Sequence, residues 1–262
     1  MVDVVFLGTG GAFSSGRRSP LALLIESGNF RMLVESGPMI VEQLARVNLH
    51  PADIRHLFVS HYHGDHTLGF PMLVLNRLTA STRLHVYAGH NTAATLEMLW
   101  ALAFPCFGDE RLKIDYHRLS ERGLEEMELA TGTILSTTIV PHPPGVPTLA
   151  ARWDFEGTSV TLATDTLPNA STLELARGSD LLIHEASFSA TLQPNANSGE
   201  HFHSTAQQAG EIARRAGCTR LALVHMGPEI SEHPDVLVEE AQAGTDLEVI
   251  VPEDGERIRV CG

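Results

Sequence analysis

Six consecutive residues, His61-Tyr62-His63-Gly64-Asp65-His66, carry the densest chemistry in this sequence, directly after the apolar run Phe58-Val59-Ser60. Three imidazoles and a carboxylate crowded at the end of a buried strand are costly unless they share a cation. His61 and His63 stand two apart on an extended turn, so both rings can face one metal ion. Asp65 and His66 continue around the loop and can face a second. Zinc favours such nitrogen and oxygen donors in near-tetrahedral sets. A polar loop of individually satisfied histidines would need separate partners for four clustered groups, and is the weaker reading.

The loop needs a scaffold. Arg55–Val59 reads as the strand that delivers it, and Gly69–Leu78 as a helix that follows. Short strands and helices alternate along the rest of the chain with glycine and proline punctuation and no low-complexity linker. β-rich blocks occur in both halves, each followed by helix–strand units. That order permits two sheets packed face to face with helices outside, although other layered α/β folds share it. A chain of 262 residues buries roughly 70–75% of its unfolded surface, so it needs no disulfide staples. Cys106, Cys218 and Cys261 are widely spaced and odd in number, which suggests neither a disulfide framework nor a cysteine zinc site. A reducing cytoplasm fits best. Met1–Leu7 lacks a basic leader and reads as a first core strand. The longest apolar stretch, Leu96–Phe107, is too short and interrupted to span a bilayer.

A formal net charge of −14 and a single lysine, Lys113, argue against a protein that grips long nucleic acid along its backbone. A small anionic substrate remains compatible, because bound divalent ions supply local positive charge. Hydrophobic content of 43% and a mean hydropathy near zero fit an ordinary globular protein.

The six-residue motif resembles the H-x-H-x-D-H signature of metallo-β-lactamase-fold hydrolases. The resemblance implies a four-layer αββα sandwich of two mixed β-sheets flanked by helices, with residues 1–262 as a single domain. It also implies three more ligands at strand ends, in the order histidine, acid, histidine. His142 follows Thr133–Pro141, Asp165 lies in Ala163-Thr164-Asp165-Thr166, and His225 follows Leu221–Val224. By this resemblance His61, His63 and His142 hold one metal. Asp65, His66 and His225 hold the second, and Asp165 bridges them. The cofactors implied are two divalent ions, Zn2+ foremost, with Mn2+ or Fe2+ as alternatives.

Two further segments resemble the tRNase Z branch of these enzymes. His184-Glu185-Ala186-Ser187 is similar to its H-E-A-T motif, and His203-Ser204-Thr205 to its H-S-T motif. The branch implies that Glu185 orients His203 as a general acid for the leaving group. His203-Ser204 could equally cap the helix that follows, and His184 reads as structural. The sequence departs from the branch in two ways. Glu35 stands where an aspartate is usual, and could support a ligand histidine from behind. tRNA 3′-processing members also extend a long arm between the third-ligand strand and the bridging aspartate. Here His142 and Asp165 are too close in sequence for one.

The chemistry expected is hydrolysis of a phosphodiester by a hydroxide generated between two cations. Asp65 holds the second metal and accepts the nucleophile's proton, and His203 with Glu185 protonates the departing alkoxide. Without an arm, a small diester such as a cyclic nucleotide or short oligonucleotide is favoured. The alternatives are an aryl sulfatase, lactonase or other esterase on the same scaffold, a tRNA 3′-processing endonuclease, and a non-catalytic metal-binding module. A homodimer is the assembly the branch implies. Gly8-Thr9-Gly10-Gly11 lacks dinucleotide-fingerprint spacing and reads as a turn near the metals. Arg17-Arg18 beyond it reads as a solvated loop or an anion contact. Leu96–Phe107, with Trp100, Phe104 and Phe107, reads as core packing, a pocket wall or a subunit contact. His201 is the one remaining histidine close enough in sequence to His203 to be of interest.

Overall fold

The computed structural model describes residues 1–13, 17–107, 112–129 and 132–261. The first half contains β1 (Val2–Gly8), β2 (Ala22–Ser27), β3 (Phe30–Val34), α1 (Ile40–Arg46), β4 (His56–Val59), α2 (Gly64–Thr67), α3 (Phe70–Leu75), β5 (Leu84–Gly89), α4 (His90–Ala103) and β6 (Ile114–Leu119). The second contains β7 (Glu125–Glu128), β8 (Ile134–Val140), β9 (Thr148–Phe155), β10 (Thr158–Ala163), α5 (Ala170–Leu175), β11 (Leu181–Glu185), α6 (Ala206–Ala216), β12 (Arg220–Val224), α7 (Pro228–Ser231), α8 (Pro234–Gln242), β13 (Glu248–Ile250) and β14 (Arg257–Val260).

The strands form two seven-stranded sheets, ordered β14-β1-β2-β3-β4-β5-β6 and β13-β12-β11-β10-β9-β8-β7. Each is antiparallel at one side and parallel at the other, the parallel runs being β3 to β6 and β10 to β13. β14 crosses back to pair antiparallel with β1, tying the end of the chain to its beginning.

Strand periodicity explains the layers. Alternate residues of both sheets face each other in one core that includes Phe6, Phe58, Trp153, Leu162 and Ile183. The opposite face of the first sheet packs under α1, α3 and α4 through residues such as Leu24, Val59, Phe70 and Leu96. That of the second packs under α6 and α8 through Leu182, Leu223, Ala209 and Leu237. The result is the four-layer αββα sandwich of two mixed sheets that the motifs implied. α6 is bounded by a Thr205–Gln208 capping box and left-handed Gly217. Within it Gly210 permits contact with α8, since a Cβ there would lie 2.0 Å from the Ala241 carbonyl oxygen.

Direction positions the site. β8 and β10 both run antiparallel to β9, so they point the same way. β11 and β12 run parallel to β10. The C-terminal ends of β8, β10, β11 and β12 therefore share one rim. The segment after β4 meets that rim, where the Leu149 N–H donates to the Ser60 carbonyl at 3.1 Å.

Three local readings differ from the structure. β6 was not expected, because Ile114–Leu119 alternates weakly and lies at a sheet edge with mostly half-buried side chains. α5 was also missed: it is six residues long and owes its start to Asn169, whose side chain accepts from the Thr172 N–H. The expected helix over 69–78 is confined to Phe70–Leu75, while the histidine motif itself forms α2. Trp100, with Phe104 and Phe107 at ring distances of 5.1 and 6.1 Å, belongs to the core under α4. Leu96, Trp100, Phe104 and Phe107 are thus packing, Met98 and Leu102 of the same stretch are exposed, and none of these lines the cleft described below.

Candidate metal centre

The rim brings all seven proposed ligands together. His61 Nε2, His63 Nδ1 and His142 Nε2 converge, with His63 Nδ1 3.0 Å from His61 and 3.3 Å from His142. Asp165 Oδ2 completes this set at 3.8 Å from both Nε2 atoms. Its other oxygen, Oδ1, faces a second set, 3.4 Å from His66 Nε2 and 3.2 Å from His225 Nε2. Asp65 Oδ2 closes that set at 3.2 and 3.3 Å from the same two nitrogens. A tetrahedral zinc shell with bonds of about 2.0–2.1 Å has edges of about 3.3–3.4 Å. The second set, at 3.2–3.4 Å, matches that figure closely, the first spreads from 3.0 to 3.8 Å around it, and Asp165 divides its two oxygens between the sets.

The fully buried His66 gives a second test of fit. Neither ring nitrogen has a hydrogen-bond partner of good geometry, although Nε2 is surrounded by carboxylate oxygens. Unsatisfied buried polar atoms are rare in folded proteins. A cation between His66, Asp65, Asp165 and His225 would satisfy this one, so the residues fit a divalent pair.

Three of the histidines that offer Nε2 are hydrogen-bonded at Nδ1: Ser60 Oγ stands 2.9 Å from His61, the Phe202 carbonyl 3.3 Å from His142 and Ser187 Oγ 3.1 Å from His225, while Glu35 Oε2 faces His66 Nδ1 at 3.4 Å as a charge contact without hydrogen-bond geometry. Acceptors at Nδ1 fix the tautomer that leaves the Nε2 lone pair to the metal. Glu35 thus lies behind His66, where the usual aspartate was expected to act. Glu35, Asp165, Phe202 and His225 all have left-handed backbone, with φ of 68, 47, 59 and 58°. Non-glycine residues adopt it at a cost on the order of 1 kcal/mol each, and such strain clusters at functional sites.

The electrostatics separate the sets. Burial pushes His61 well below its ordinary range, His142 down to about 4, and His63 down as well. Burial also acts against His66, but the Asp165, Asp65 and Glu35 carboxylates outweigh it and hold that imidazole well above its usual value. Asp65 and Asp165 are buried, which would raise them, yet the facing histidines hold both below the usual carboxylate range. Neutral imidazoles and ionised carboxylates are the forms a metal requires. The proton held on His66 marks where a cation's charge would substitute.

Glu185 ends β11, fully buried. Its Oε1 lies 2.8 Å from His203 Nδ1 and accepts from the Thr166 N–H, while Oε2 accepts from the Ser187 N–H. Burial alone would lower His203, but Glu185 outweighs it and raises the ring to about 9. His203 stacks 5.5 Å from His225 and lies 5.4 Å from His142, so it borders both sets. Capping of α6 falls to Thr205 instead, with the Ser204 hydroxyl donating to the Thr166 carbonyl.

Other motif residues serve the frame. The Gly8–Gly11 turn supports His225, whose N–H donates to the Thr9 carbonyl at 2.8 Å. Gly11 lies so close that a Cβ there would sit 3.2 Å from His225 Cε1. The Arg18 guanidinium is committed to Thr9 Oγ1 and the Pro252 carbonyl, and exposed Arg17 pairs with Glu232 at 3.6 Å. Neither is among the cleft residues. His184 is fully buried against its own strand, its Nδ1 2.8 Å from the Glu185 carbonyl. Sequence reasoning missed Ser60, Ser187 and the Phe202 carbonyl. Only adjacency to His61 and to the H-E-A segment could have flagged the two serines.

An open cleft of about 310 Å³ lies over the centre. Its floor is His63, Asp65, Asp165, His203 and His225; its walls include Phe13, Phe188 and His201.

The profile of the family described as "Anti-Pycsar protein Apyc1" matches residues 2–232. The chain is similar to the protein named Ribonuclease Z of Halorubrum lacusprofundi, 29% identical over 313 aligned positions covering 98% of this chain and 96% of that one. It is 26% identical to the Ribonuclease Z of Pyrococcus abyssi, covering 100% and 97%. Since the first alignment has 313 positions and this chain 262 residues, at least 51 positions of that relative, the difference, fall opposite gaps here. Among solved structures, the metallo-β-lactamase-fold protein YhfI from Bacillus subtilis superposes with a TM-score of 0.82 at 22% identity, covering 98% of each chain. The short form of human tRNase Z (ELAC1) superposes with a TM-score of 0.80 at 21% identity, covering 98% and 99%.

Proposed function

The chain belongs to the anti-Pycsar protein Apyc1 family and is a metal-dependent hydrolase of the metallo-β-lactamase fold, tRNase Z-like in its motifs; on that premise we propose that it cleaves small phosphodiesters. The observation that carries this reading is the buried Glu185–His203 couple, closed at 2.8 Å beside two ligand sets that share Asp165.

His61, His63, His142 and Asp165 would hold one divalent ion, and Asp65, His66, His225 and Asp165 the other, with zinc the best match to the donor spacings. Such a pair supplies an activated water and neutralises phosphate charge. The chain's own residues do the rest. Asp65 lines the cleft beside His63, Asp165 and His225, and that position would let its carboxylate accept a proton. Glu185 commits His203 Nδ1, so the proton available to a leaving oxygen is the one on Nε2. A departing alkoxide needs that proton far more than a thiolate does, which ranks diesters above thioesters.

Size follows from the span between His142 and Asp165, filled by β9, β10 and their turn. The gaps against the Ribonuclease Z relative and the net charge of −14 support the same restriction. tRNA 3′-end processing is the second reading, favoured by the names of the curated relatives. We further take residues 1–262 as one domain of a cytoplasmic protein, assembled as a homodimer. Among the described residues no helix is long and apolar enough to cross a membrane.

The test is turnover of bis-p-nitrophenyl phosphate, a small alkyl phosphodiester, an aryl sulfate, a lactone and a precursor tRNA by the metal-loaded protein, with His203→Ala in parallel. Diester turnover without precursor cleavage is expected. The variant should keep its metals and slow by about 10²–10⁴-fold on alkyl leaving groups, with much less effect on p-nitrophenolate. Equal slowing on all leaving groups removes the general-acid role, and precursor cleavage at physiological salt supports the second reading.

A further inference from the structure

We propose that His85 and His117, with Asp115 beside them, form a separate site for a first-row divalent transition-metal ion at the edge of the first sheet. It lies outside the seven-ligand centre and does not depend on the reaction assigned to that centre.

Strand register builds the site. In the parallel ladder His85 of β5 stands opposite Asp115 of β6, and Tyr87 opposite His117. Residues two apart share a face, so His85, Asp115 and His117 project from the same side of the sheet. Tyr87 and Leu119 on that side reach the core between the sheets. β6 is the last strand of its sheet. There the side chains open to solvent, His85 at 34% and Asp115 at 39%, so an ion can enter without any strand parting.

The donors meet at one atom. His85 Nδ1 lies 3.2 Å from His117 Nε2 and 3.7 Å from Asp115 Oδ2. Both spacings fall within the range spanned by His61, His63, His142 and Asp165 in the centre. Arg83 pairs with the other oxygen of Asp115, Oδ1, at 3.1 Å and leaves Oδ2 turned to His85. A single proton on His85 Nδ1 serves His117 or Asp115 well, but not both. A proton on His117 Nε2 instead sets the His85 lone pair against the carboxylate. A cation satisfies all three groups at once. The three donors do not close as tightly as the sets of the centre, so the two imidazoles carry the site and water completes the shell.

The rings are held before any ion arrives. Tyr87 stacks on His117 at 4.5 Å with 11° between planes, and His56 on His85 at 5.3 Å with 20°. His56 turns its own Nδ1 to the Tyr87 hydroxyl at 3.3 Å and is a buttress, not a donor. Burial and the neighbouring His85 keep His117 below its ordinary range against the pull of Asp115, in the neutral form that binds metal. Imidazole nitrogens with one carboxylate select zinc-type ions over magnesium and calcium, which take oxygen shells. An ion bound across β5 and β6 would pin the edge strand to its neighbour.

Equilibrium dialysis against buffered micromolar free Zn2+, with metal counted per chain, compares the wild type with His85→Phe and His117→Phe. Both substitutions keep a ring in the stack and remove a donor. The wild type should hold one equivalent more than either variant, whatever the centre itself binds. Dialysis against Mg2+ should show no such difference. Hydrogen exchange is the second measurement. With zinc at about 100 times its dissociation constant, opening of β6 should slow by up to about 100-fold in the wild type and much less in the variants. Equal zinc content in the three proteins, the same difference with Mg2+, or β6 amides that respond to zinc alike in all three overturns the proposal. Should one variant fail to fold, the other and the exchange measurement decide.

Discussion

Replacing Ser187 with alanine should weaken one metal site and spare the other. The Ser187 hydroxyl lies 3.0 Å from the His225 carbonyl and 3.1 Å from His225 Nδ1. With one proton to give, it donates to the carbonyl and accepts from Nδ1–H. That arrangement leaves the Nε2 lone pair directed at the set formed with Asp65, His66 and Asp165. Alanine removes both bonds, each worth about 1 kcal/mol, and frees the ring to rotate or change tautomer. Loss of such a supporting contact typically weakens metal affinity 10–100-fold, or about 1.4–2.7 kcal/mol. The other set should be untouched, because none of its histidines contacts Ser187. Ser60→Ala is the mirror experiment, since Ser60 Oγ supports His61 at 2.9 Å. Competition against a chromophoric chelator, followed as two binding steps, should show a different step weakened in each variant. Ser187→Thr should restore the first, because it returns the hydroxyl. If both variants weakened the same step, or Ser187→Ala bound both ions like wild type, the assignment of supports to separate sets would be wrong.

Two further outcomes follow from groups away from the centre. His56 is half-buried against Phe30 and His85, at ring distances of 5.2 and 5.3 Å; burial, with His85, His117 and Arg55, pushes it down to about 4. The unfolded chain takes up that proton near pH 6.5, so the stability present above 6.5 is lost as pH falls towards about 4. Discounted for partial exposure, the loss is about 1–2 kcal/mol, and urea unfolding at pH 7.5 and pH 5 should show that much less pH dependence in His56→Phe; an identical dependence contradicts the assignment. Burial also raises the Cys218 thiol to about 11, whereas Cys106 and Cys261 are exposed. A thiol reagent at pH 8 should therefore label two cysteines in the native protein and a third only on unfolding, and rapid labelling of all three would refute that.

Much of the centre is legible because its first four donors fall within six residues and its other three follow strand ends. Residues such as His142 and His225 gain meaning only where β8 and β12 stop, and strand ends can be read from apolar runs. The supports could not be read. Ser60, Ser187 and the Phe202 carbonyl act through a hydroxyl or a backbone oxygen that any sequence contains, and the last depends on left-handed backbone at Phe202. Glu35 could be placed but not oriented, since only the fold sets its carboxylate behind His66. The wall residue Phe188 gave no signal, because its place in the cleft arises from the stretch between β11 and α6 folding back over the candidate ligands. His201 was flagged only by its nearness to His203. In the frame, β6 escaped because an edge strand with half-buried side chains lacks the alternation that reveals its inner neighbours.

The central claim is that Asp165 is shared between two cations held by separate triads. Anomalous diffraction at the zinc edge, from crystals of the zinc-loaded protein, tests it most directly. Two peaks are predicted, one beside Asp165 Oδ2 against His61, His63 and His142, the other beside Oδ1 against Asp65, His66 and His225. A single peak, or an Asp165 carboxylate turned away from either triad, would contradict the account.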